Sequence, residues 1–231
     1  MITIRPAAER GHVNLGWLDS HHTFSFGDYY DPAHMGVSNL RVINEDWIQP
    51  DGGFATHGHK DMEIVSVVLA GTLEHKDSMG NGSIISPGDV QHMSAGRGVR
   101  HSEYNPSSTE AVHLLQIWLT PNRRGVDPGY AQQHFAEETR HNRLALLVSP
   151  DGRDGSIAAH QDALLFGARL DVGRSLDYRI DLDRRGWVQI ARGRVRIDGQ
   201  ELSAGDGARI AAGTCLVIEA LADQADQAEL L

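Results

Sequence analysis

The chain has 231 residues, enough for one large β domain or for two domains of about 100 residues each. Its 25 glycines and its short runs of Val, Ile and Leu favour many short strands joined by tight turns over a helical bundle. A formal net charge of −10 excludes the basic surface that neutralises phosphates, so we expect no direct binding of nucleic acid.

The N-terminal segment MITIRPAAERGHVNLGW lacks the apolar centre of a signal peptide, and no run of about 18 apolar residues follows it. Cys215 is the only cysteine, so no disulfide can form within the chain. Its apolar context GTCLVI predicts a buried, unreactive thiol. We therefore expect a cytoplasmic protein that neither crosses nor enters a membrane.

A pair of histidines stands at the start of the first long run of β-forming residues, FATHGHKDMEIVSVVLAG. Residues i and i+2 of a strand point to the same face, so the rings of His57 and His59 should project together. Taken alone, a His-x-His pair is also compatible with ordinary surface or core histidines. As a functional feature it predicts two nitrogen ligands for one cation.

The segment GRGVRHSEYNP repeats this alternation, because His101 and Glu103 are also i and i+2. If the two strands are neighbours in one sheet or barrel, three imidazoles and one carboxylate converge on a single point. Such nitrogen and oxygen ligands suit divalent iron, nickel, copper, manganese or zinc. We interpret His75, His92 and His113 as strand residues with ordinary packing or hydrogen-bond partners.

A weaker copy of this organisation follows in the second half of the chain. LAGTL and SPGDVQHMSAG reappear as ARGRV and SAGDGARIAAG, with Gly88 and Asp89 matching Gly205 and Asp206 at an offset of 117. Gly71 matches Gly193 at an offset of 122, since the loop DSMGNGS is replaced by the shorter DGQ. We interpret this as a duplicated β unit, joined by a segment with a short helix at about residues 130–139.

The ligand residues themselves are not repeated. At the offset of 122, His57 and His59 align with Arg179 and Asp181. At the offset of 117, His101 aligns with Ile218 and Glu103 aligns with Ala220. The second copy is therefore predicted to be free of metal.

The stretches HGHKDMEIVSVVLAG and PGDVQHMSAGRGVRHSEYNP resemble the two cupin motifs as they occur in the pirin family, and GWLDSHHTFSFGDYYDP is similar to its bacterial members. The resemblance implies the metal ligands His57, His59, His101 and Glu103, the set that the alternation also indicates. Glu63 stands where many other cupins have a carboxylate ligand, and we interpret it as a structural residue near the site.

The resemblance implies an all-β bicupin, that is, two consecutive β-barrel (double-stranded β-helix) domains. We predict a metal-binding N-terminal domain over residues 1–125 and a metal-free C-terminal domain over residues 126–231. The expected cofactor is one divalent transition metal ion. Iron is our first choice, with nickel, copper, manganese, cobalt or zinc as alternatives, because such ligand sets accept several first-row ions.

Bacterial pirin-like proteins are associated with quercetin 2,3-dioxygenase activity, in which dioxygen opens a flavonol and carbon monoxide is released. The resemblance thus implies a flavonol-like substrate and dioxygen as partners, with Glu103 as the catalytic residue that accepts the proton of the 3-hydroxyl. The alternative is a non-catalytic, metal-dependent, redox-sensing module that binds a partner protein, as pirin itself does. An open site favours the enzyme, and a sealed ion favours the module.

Overall fold

The computed structural model describes residues 1–223 and 226–231 and confirms the expected β architecture. The first strands are β1 (Ile2–Arg5), β2 (Gly11–Asn14), β3 (Leu18–His22), β4 (Leu40–Ile48), β5 (Gly53–His59), β6 (Glu63–Ala70), β7 (Leu73–Asp77), β8 (Gly82–Ile85), β9 (Asp89–Ser94), β10 (Val99–Tyr104), β11 (Val112–Leu119) and β12 (Gly129–His134). The remaining strands are β13 (Ala145–Ser149), β14 (Ile157–Ala158), β15 (Leu165–Asp171), β16 (Ser175–Arg179), β17 (Gly186–Arg192), β18 (Arg194–Ile197), β19 (Gln200–Ser203), β20 (Gly207–Ile210), β21 (Cys215–Leu221) and β22 (Gln227–Leu230).

Helical structure in the described residues is limited to short segments. The helix α1 covers Glu137–Arg140, and single 3₁₀ turns lie at Ala7–Glu9 and Arg153–Gly155. The helix predicted at residues 130–139 is therefore mostly wrong, because the first part of that stretch is β12, which pairs with β9. Backbone pairing at a sheet edge has overridden the local preference. No helix within residues 1–223 and 226–231 has the length and apolar character needed to span a membrane.

The chain forms two compact units. The N-terminal unit comprises residues 11–135 and 147–164, and the C-terminal unit comprises residues 1–10, 136–146 and 165–231. Each unit thus takes residues from both sides of position 125. The domain boundary at residue 125 stays a prediction, based on where the sequence repeat begins again. The two compact units are divided differently, because each contains short segments from the other half of the sequence.

The strand orders of the two units agree with the predicted duplication. In the N-terminal unit the four-stranded sheet runs β5-β10-β7-β8, and in the C-terminal unit it runs β16-β21-β18-β19. The larger sheets contain the matching orders β12-β9-β6-β11-β4 and β1-β20-β17-β22-β15. The edge strand beside β9 is β12, whereas the edge strand beside β20 is β1, from the opposite end of the chain. This difference explains why the first ten residues belong to the C-terminal unit.

The repeated Gly-Asp turns have the same hydrogen bonds in both units. In residues 86–89 the Asp89 amide donates to the Ser86 carbonyl at 2.9 Å, and the Asp89 carboxylate accepts from the Ser86 amide at 3.0 Å. The corresponding distances between Asp206 and Ser203 are 2.9 and 2.8 Å. The sequence match at an offset of 117 is therefore also a match of local structure.

Each unit buries its core between its two sheets. In the N-terminal unit this core includes Ile48 and Leu114 of the larger sheet and Leu73 and Ile85 of the smaller one. In the C-terminal unit the core draws on strands β15 to β22, which supply apolar side chains from both sheets. This burial holds the smaller sheet, which carries the predicted ligands, against the larger one.

Strand register corrects the predicted alignment of the first histidine pair. His101 lies opposite His57, and its counterpart Ile218 lies opposite Leu176 rather than Arg179. The reason is the loop after the strand, because residues 180–185 join β16 to β17 whereas only residues 60–62 join β5 to β6. The true offset in this strand is therefore smaller than 122.

The thiol of Cys215 was expected to be buried, and that prediction is wrong. Cys215 is exposed at the start of β21, opposite the exposed Arg179. Its apolar neighbours alternate along the strand, so Leu216 is buried while Cys215 faces outward.

Candidate metal centre

Three of the predicted ligands come together on β5 and β10. These strands pair antiparallel with His57 directly opposite His101, and His59 follows on the same face of β5. The ring centroids are separated by 4.7 Å for His57 and His59, 4.5 Å for His57 and His101, and 4.8 Å for His59 and His101. One ligand atom from each ring lies within 4.8 Å of the others. The alternation in sequence therefore becomes a three-histidine cluster.

A bulge in β5 fixes the ring of His57. His101 pairs with His57, but Glu103, two residues on, pairs with Phe54, three residues back. Within this irregular stretch the carbonyl of Ala55 accepts a hydrogen bond from Nδ1 of His57 at 2.8 Å. The hydrogen bond assigns the proton to Nδ1, which leaves the lone pair on Nε2 free to bind an ion.

A second chain of contacts fixes the ring of His101 in the same way. Its Nδ1 lies 3.5 Å from Nδ1 of the fully buried His75, and Nε2 of His75 lies 3.2 Å from Oδ2 of Asp77. Asp77 is acceptor only, so His75 donates to it from Nε2 and accepts from His101 at Nδ1. His101 is thereby left with its lone pair on Nε2.

The loop after β7 holds Asp77 in place. Its carboxylate accepts hydrogen bonds from the backbone amides of Met79 and Asn81, at 2.9 and 3.0 Å, and from the Asn81 side chain at 2.8 Å. On the other side, the ring of Tyr130 stacks on His75 with centroids 4.8 Å apart. A continuous chain of contacts therefore runs from the loop through Asp77 and His75 to His101 in the cluster.

Two features of the donor set fit a bound cation. Nε2 of His57 and Nε2 of His101 are 3.1 Å apart, and the hydrogen bonds above give each of them a lone pair facing the other. That separation is typical of neighbouring ligands with metal–nitrogen bonds of about 2.1 Å. Among the described residues, Oε1 of the buried Glu103 has no hydrogen-bond partner. An ion between the two Nε2 atoms would satisfy the first feature, whereas the structure brings Glu103 close to His101 and not into the group formed by His57, His59 and His101.

Glu103 approaches the cluster from the buried side. Its carboxylate lies close to His101 and His75. One ligand atom from each of these three residues lies within 4.8 Å of the other two. Nε2 of Gln116 donates to Oε2 of Glu103 at 3.0 Å, and Oε1 of Gln116 accepts from Nε1 of Trp118 at 2.9 Å. Because the indole can only donate, it fixes the orientation of the Gln116 amide, which leaves Oε1 of Glu103 as the free oxygen.

Burial governs the protonation of these groups. Burial, together with the neighbouring charge of His57, lowers the pKa of His59 to about 4 and that of His101 to about 3. Burial also raises the pKa of Glu103 to about 7, with the charge of Asp46 acting in the same direction. Neutral imidazoles are the form that binds metal, and a buried carboxylate is stabilised when a cation accompanies it.

Glu63 takes no part in the histidine cluster. Its buried carboxylate accepts hydrogen bonds from Nε2 of His92 at 2.8 Å, from Oγ of Ser94 at 2.6 Å and from the amide of His160 at 3.0 Å. Although burial raises it, these donors bring the pKa of Glu63 below its ordinary value. The contacts agree with a structural role, in which Glu63 ties β6 to β9 and to the segment at residue 160.

One side of the site is buried and the other is partly exposed. His101 and Glu103 are buried, while His57 and His59 are partly exposed. Aromatic rings lie near the two partly exposed histidines, with Trp118 4.9 Å from His59, Phe26 5.2 Å from Trp118 and Phe54 6.3 Å from His57. A planar aromatic ligand would meet apolar surface there.

The sequence did not predict the role of His75 and Asp77. His75 was interpreted as an ordinary strand residue, but it lies between His101 and a fixed carboxylate. The sequence did contain one sign of this role: His75 and Asp77 are i and i+2, so they share a face of β7. His101 lies on β10, 26 residues after His75, so only the pairing of β7 with β10 reveals the contact.

Two repeated β units with a histidine and carboxylate cluster in one of them define the class of a bicupin with a candidate centre for a divalent metal ion. A family model described as Pirin matches residues 3–119, and one described as Quercetinase C-terminal cupin domain matches residues 146–231. The chain belongs to the pirin family.

The comparison with individual proteins agrees with this assignment. The chain is 52% identical over 210 residues to a quercetin 2,3-dioxygenase of Escherichia coli (strain K12), covering 91% of this chain and 90% of that protein. It matches the crystal structure of the bacterial pirin YhhW from Escherichia coli in complex with nickel(II) with a TM-score of 0.92 and 49% identity, over 100% of this chain and 97% of that one. A quercetin 2,3-dioxygenase from Acinetobacter baumannii shares the fold, with a TM-score of 0.76 and 21% identity over 95% of this chain and 82% of that one.

Proposed function

We propose that the protein is a metal-dependent dioxygenase that opens flavonols such as quercetin with dioxygen. In this proposal His57, His59, His101 and Glu103 hold one divalent transition metal ion in the N-terminal unit. The observation that carries the proposal is the convergence of three imidazoles, with the buried carboxylate of Glu103 close to one of them, His101, and one oxygen of that carboxylate without a partner in the described chain. The identity to a protein named quercetin 2,3-dioxygenase supports the substrate class.

The identity of the ion is a separate part of the proposal. Nickel is bound in the similar bacterial pirin, and the sequence leads us to expect iron. Imidazole and carboxylate ligands suit either ion. A divalent ion supplies Lewis acidity and an orienting charge for the substrate's oxygen atoms.

The residues of the chain have distinct tasks in this proposal. Gln116 holds Oε2 of Glu103, so Oε1 is the oxygen that faces the cluster, and it can accept the proton of the 3-hydroxyl only when it is not bound to the ion. Trp118 fixes Gln116 through its indole N–H and presents its ring beside His59, where a flat flavonol can stack. The partly exposed edge at His57 and His59 admits the substrate, while the buried edge excludes water from Glu103.

Aerobic turnover of quercetin, measured on protein of known metal content, tests the proposal. Wild-type protein reconstituted separately with Fe²⁺, Ni²⁺, Cu²⁺, Mn²⁺, Co²⁺ and Zn²⁺ should consume quercetin and release carbon monoxide with at least one ion. His57→Ala should lose both metal and turnover. Glu103→Gln should lower the turnover of metal-loaded protein by about 100-fold or more, the range of a lost general base.

His134→Gln is the matched control, because His134 is an exposed histidine paired with Asp89 outside the cluster. It should behave as the wild type. If metal-replete protein consumes no quercetin with any of these ions, the enzyme proposal fails, and the metal-dependent interaction module takes its place. Full turnover by Glu103→Gln would contradict only the role of Glu103 as proton acceptor, and the proposal that the protein is an enzyme would stand.

A further inference from the structure

A second group of metal-ligating side chains lies on the β2–β3 hairpin, outside the candidate centre. His12 on β2 lies directly opposite His21 on β3, and Asp19 precedes His21 by two residues. Paired residues of antiparallel strands share a face, as do residues i and i+2. The two imidazoles and the carboxylate therefore project from the same face of the hairpin.

The three side chains meet at one carboxylate oxygen. Nε2 of His12 is 2.7 Å from Oδ1 of Asp19, and Nε2 of His21 is 3.4 Å from the same atom. The two rings stack with centroids 4.5 Å apart and an angle of 9° between their planes. All three ligand atoms lie within 4.8 Å of one another. Both Nε2 atoms are thus aimed at a single small volume beside a negative charge.

The position on the hairpin suits a site that takes its ion from solvent. The side chains of His12, Asp19 and His21 are 52%, 38% and 29% exposed. Strand β3 is paired on both sides, to β2 and to β4, so the backbone that carries Asp19 and His21 is held in place without any ion. Two imidazoles and a carboxylate with room for water are a ligand set for zinc, nickel, copper or cobalt.

We propose that His12, Asp19 and His21 form a second, peripheral binding site for a divalent transition metal ion. The site differs from other histidine–carboxylate pairs on the surface. His134 with Asp89 and His34 with Asp31 each join a single imidazole to a single carboxylate, whereas the hairpin supplies two imidazoles to one carboxylate. The third ligand is what distinguishes a chelating site from an ordinary hydrogen bond.

Trp47 provides a spectroscopic reporter for this site. Its ring lies edge-on to His21 with centroids 5.7 Å apart, whereas Trp118 contacts His59 of the candidate centre at 4.9 Å. Paramagnetic Cu²⁺ or Ni²⁺ quenches indole fluorescence over such short distances. The two sites can therefore be observed separately in one protein, with Trp47→Phe and Trp118→Phe as reporter controls.

The experiment is equilibrium dialysis of EDTA-treated full-length protein against buffered Ni²⁺, with bound nickel determined by elemental analysis. We expect two equivalents in the wild type, one in His21→Gln, one in Asp19→Asn and one in His57→Ala. His134→Gln, which removes an exposed, carboxylate-paired histidine, should retain both equivalents. In the His57→Ala background, Cu²⁺ should quench the fluorescence, and Trp47→Phe should remove that quenching.

Two results would overturn the proposal. One is a wild-type stoichiometry that His21→Gln and Asp19→Asn both leave unchanged. The other is an equal loss of nickel in His134→Gln and His21→Gln, which would indicate non-specific binding to surface histidines. Thermal melting of each metal-free variant should match that of the wild type, because the substituted side chains lie on the surface, and this distinguishes a lost ligand from a lost fold.

Discussion

The N-terminal and C-terminal units share their scaffold and differ in what fills it. Strands β5-β10-β7 and β16-β21-β18 have the same order and the same antiparallel pairing. At matching positions of β10 and β21, however, His101 and Glu103 are replaced by Ile218 and Ala220. Both replacements are buried in the apolar core of the C-terminal unit.

The difference extends to the residues that contact the proposed ligands. Glu103 lies opposite His75, whereas Ala220 lies opposite Val195. His101 lies opposite Asp77, whereas Ile218 lies opposite Ile197. The proposed ligands of β10 and their cross-strand partners are thus matched in the C-terminal unit by hydrophobic side chains. A buried polar network is tolerated only when its members are all satisfied, so a unit without an ion is more stable with none of them.

The loop lengths follow the same division. The N-terminal unit has the longer hairpin after β7, and its residues 79 and 81 donate to Asp77. In the C-terminal unit β18 and β19 are joined by a two-residue turn, where Ile197 needs no such donors. A longer loop is therefore part of the site rather than a neutral insertion.

The largest expected effect comes from replacing His101 of the N-terminal unit by isoleucine, the residue at the matching position 218 of the C-terminal unit. His101→Ile removes a proposed ligand and puts a buried apolar side chain in its place on the strand, so the fold should persist. We expect metal affinity to fall by more than about 100-fold, beyond the effect of losing a supporting residue. Chelator competition with metal-replete protein measures it. The reverse variant, Ile218→His, should gain no metal and should lower stability. A His101→Ile protein that retains its ion would place the centre elsewhere.

The next effect concerns Asp46, a buried charge on β4, where the matching strand β15 buries Ala168 and Leu170. Burial, with the charge of Glu45 adding to it, raises the pKa of Asp46 to about 7 against the opposing hydrogen bond from Ser20. Because the folded-state pKa lies above the unfolded value of 3.8, its contribution is fully present below pH 3.8 and is lost as pH rises through about 7.

Asp46→Asn should therefore flatten the fall in stability between about pH 4 and pH 7, by up to about 4 kcal/mol. Urea denaturation of both metal-free proteins across this range measures the difference. Removing the charge of Asp46 also lessens the rise in the pKa of Glu103, and this change flattens the fall in stability further in the same direction. Parallel stability curves for the two proteins would refute the assignment of this slope to Asp46.

A smaller effect is expected at His75, for which the C-terminal unit has Val195. His75→Val removes the acceptor for Nδ1 of His101, and we expect a loss of about 10- to 100-fold in metal affinity. His75→Gln, whose amide oxygen can accept that proton, should recover part of the loss. Nitrogen-15 NMR of the metal-free proteins should show His101 protonated at Nδ1 in the wild type and a mixture of tautomers in His75→Val. Unchanged tautomer and affinity would mean that His75 merely packs.

The smallest effect tests what the units have in common. Gly88 and Gly205 occupy the same turn with φ of 97° and 86°, a conformation that L-residues rarely adopt. Gly88→Ala and Gly205→Ala should each lower stability by about 1–3 kcal/mol and leave metal affinity unchanged. A Cβ would approach the movable His134 ring at position 88, but at position 205 it would meet the Cβ of Ala7 at 2.9 Å as well as the Arg10 side chain. We therefore expect the larger loss at position 205, and chemical denaturation that finds Gly88→Ala the more destabilising variant would contradict this account.

The sequence by itself determined the β class, the repeat and the histidine cluster, because each depends on short-range rules. Alternation along a strand puts His57 beside His59, and a Gly-Asp turn needs only four residues to form. The helix predicted at residues 130–139 shows where such rules end, since the pairing of β12 with β9 decided that stretch.

Only the tertiary structure decided which residues support the cluster. The contact of His75 with His101 joins residues 26 positions apart, and the opposition of Leu176 to Ile218 depends on the length of an intervening loop. Pairing of β1 with β20 likewise joins the two ends of the chain. Cross-strand register is set by packing over the whole unit, so no local pattern encodes it, whereas the face on which a side chain lies is fixed by the period of the strand.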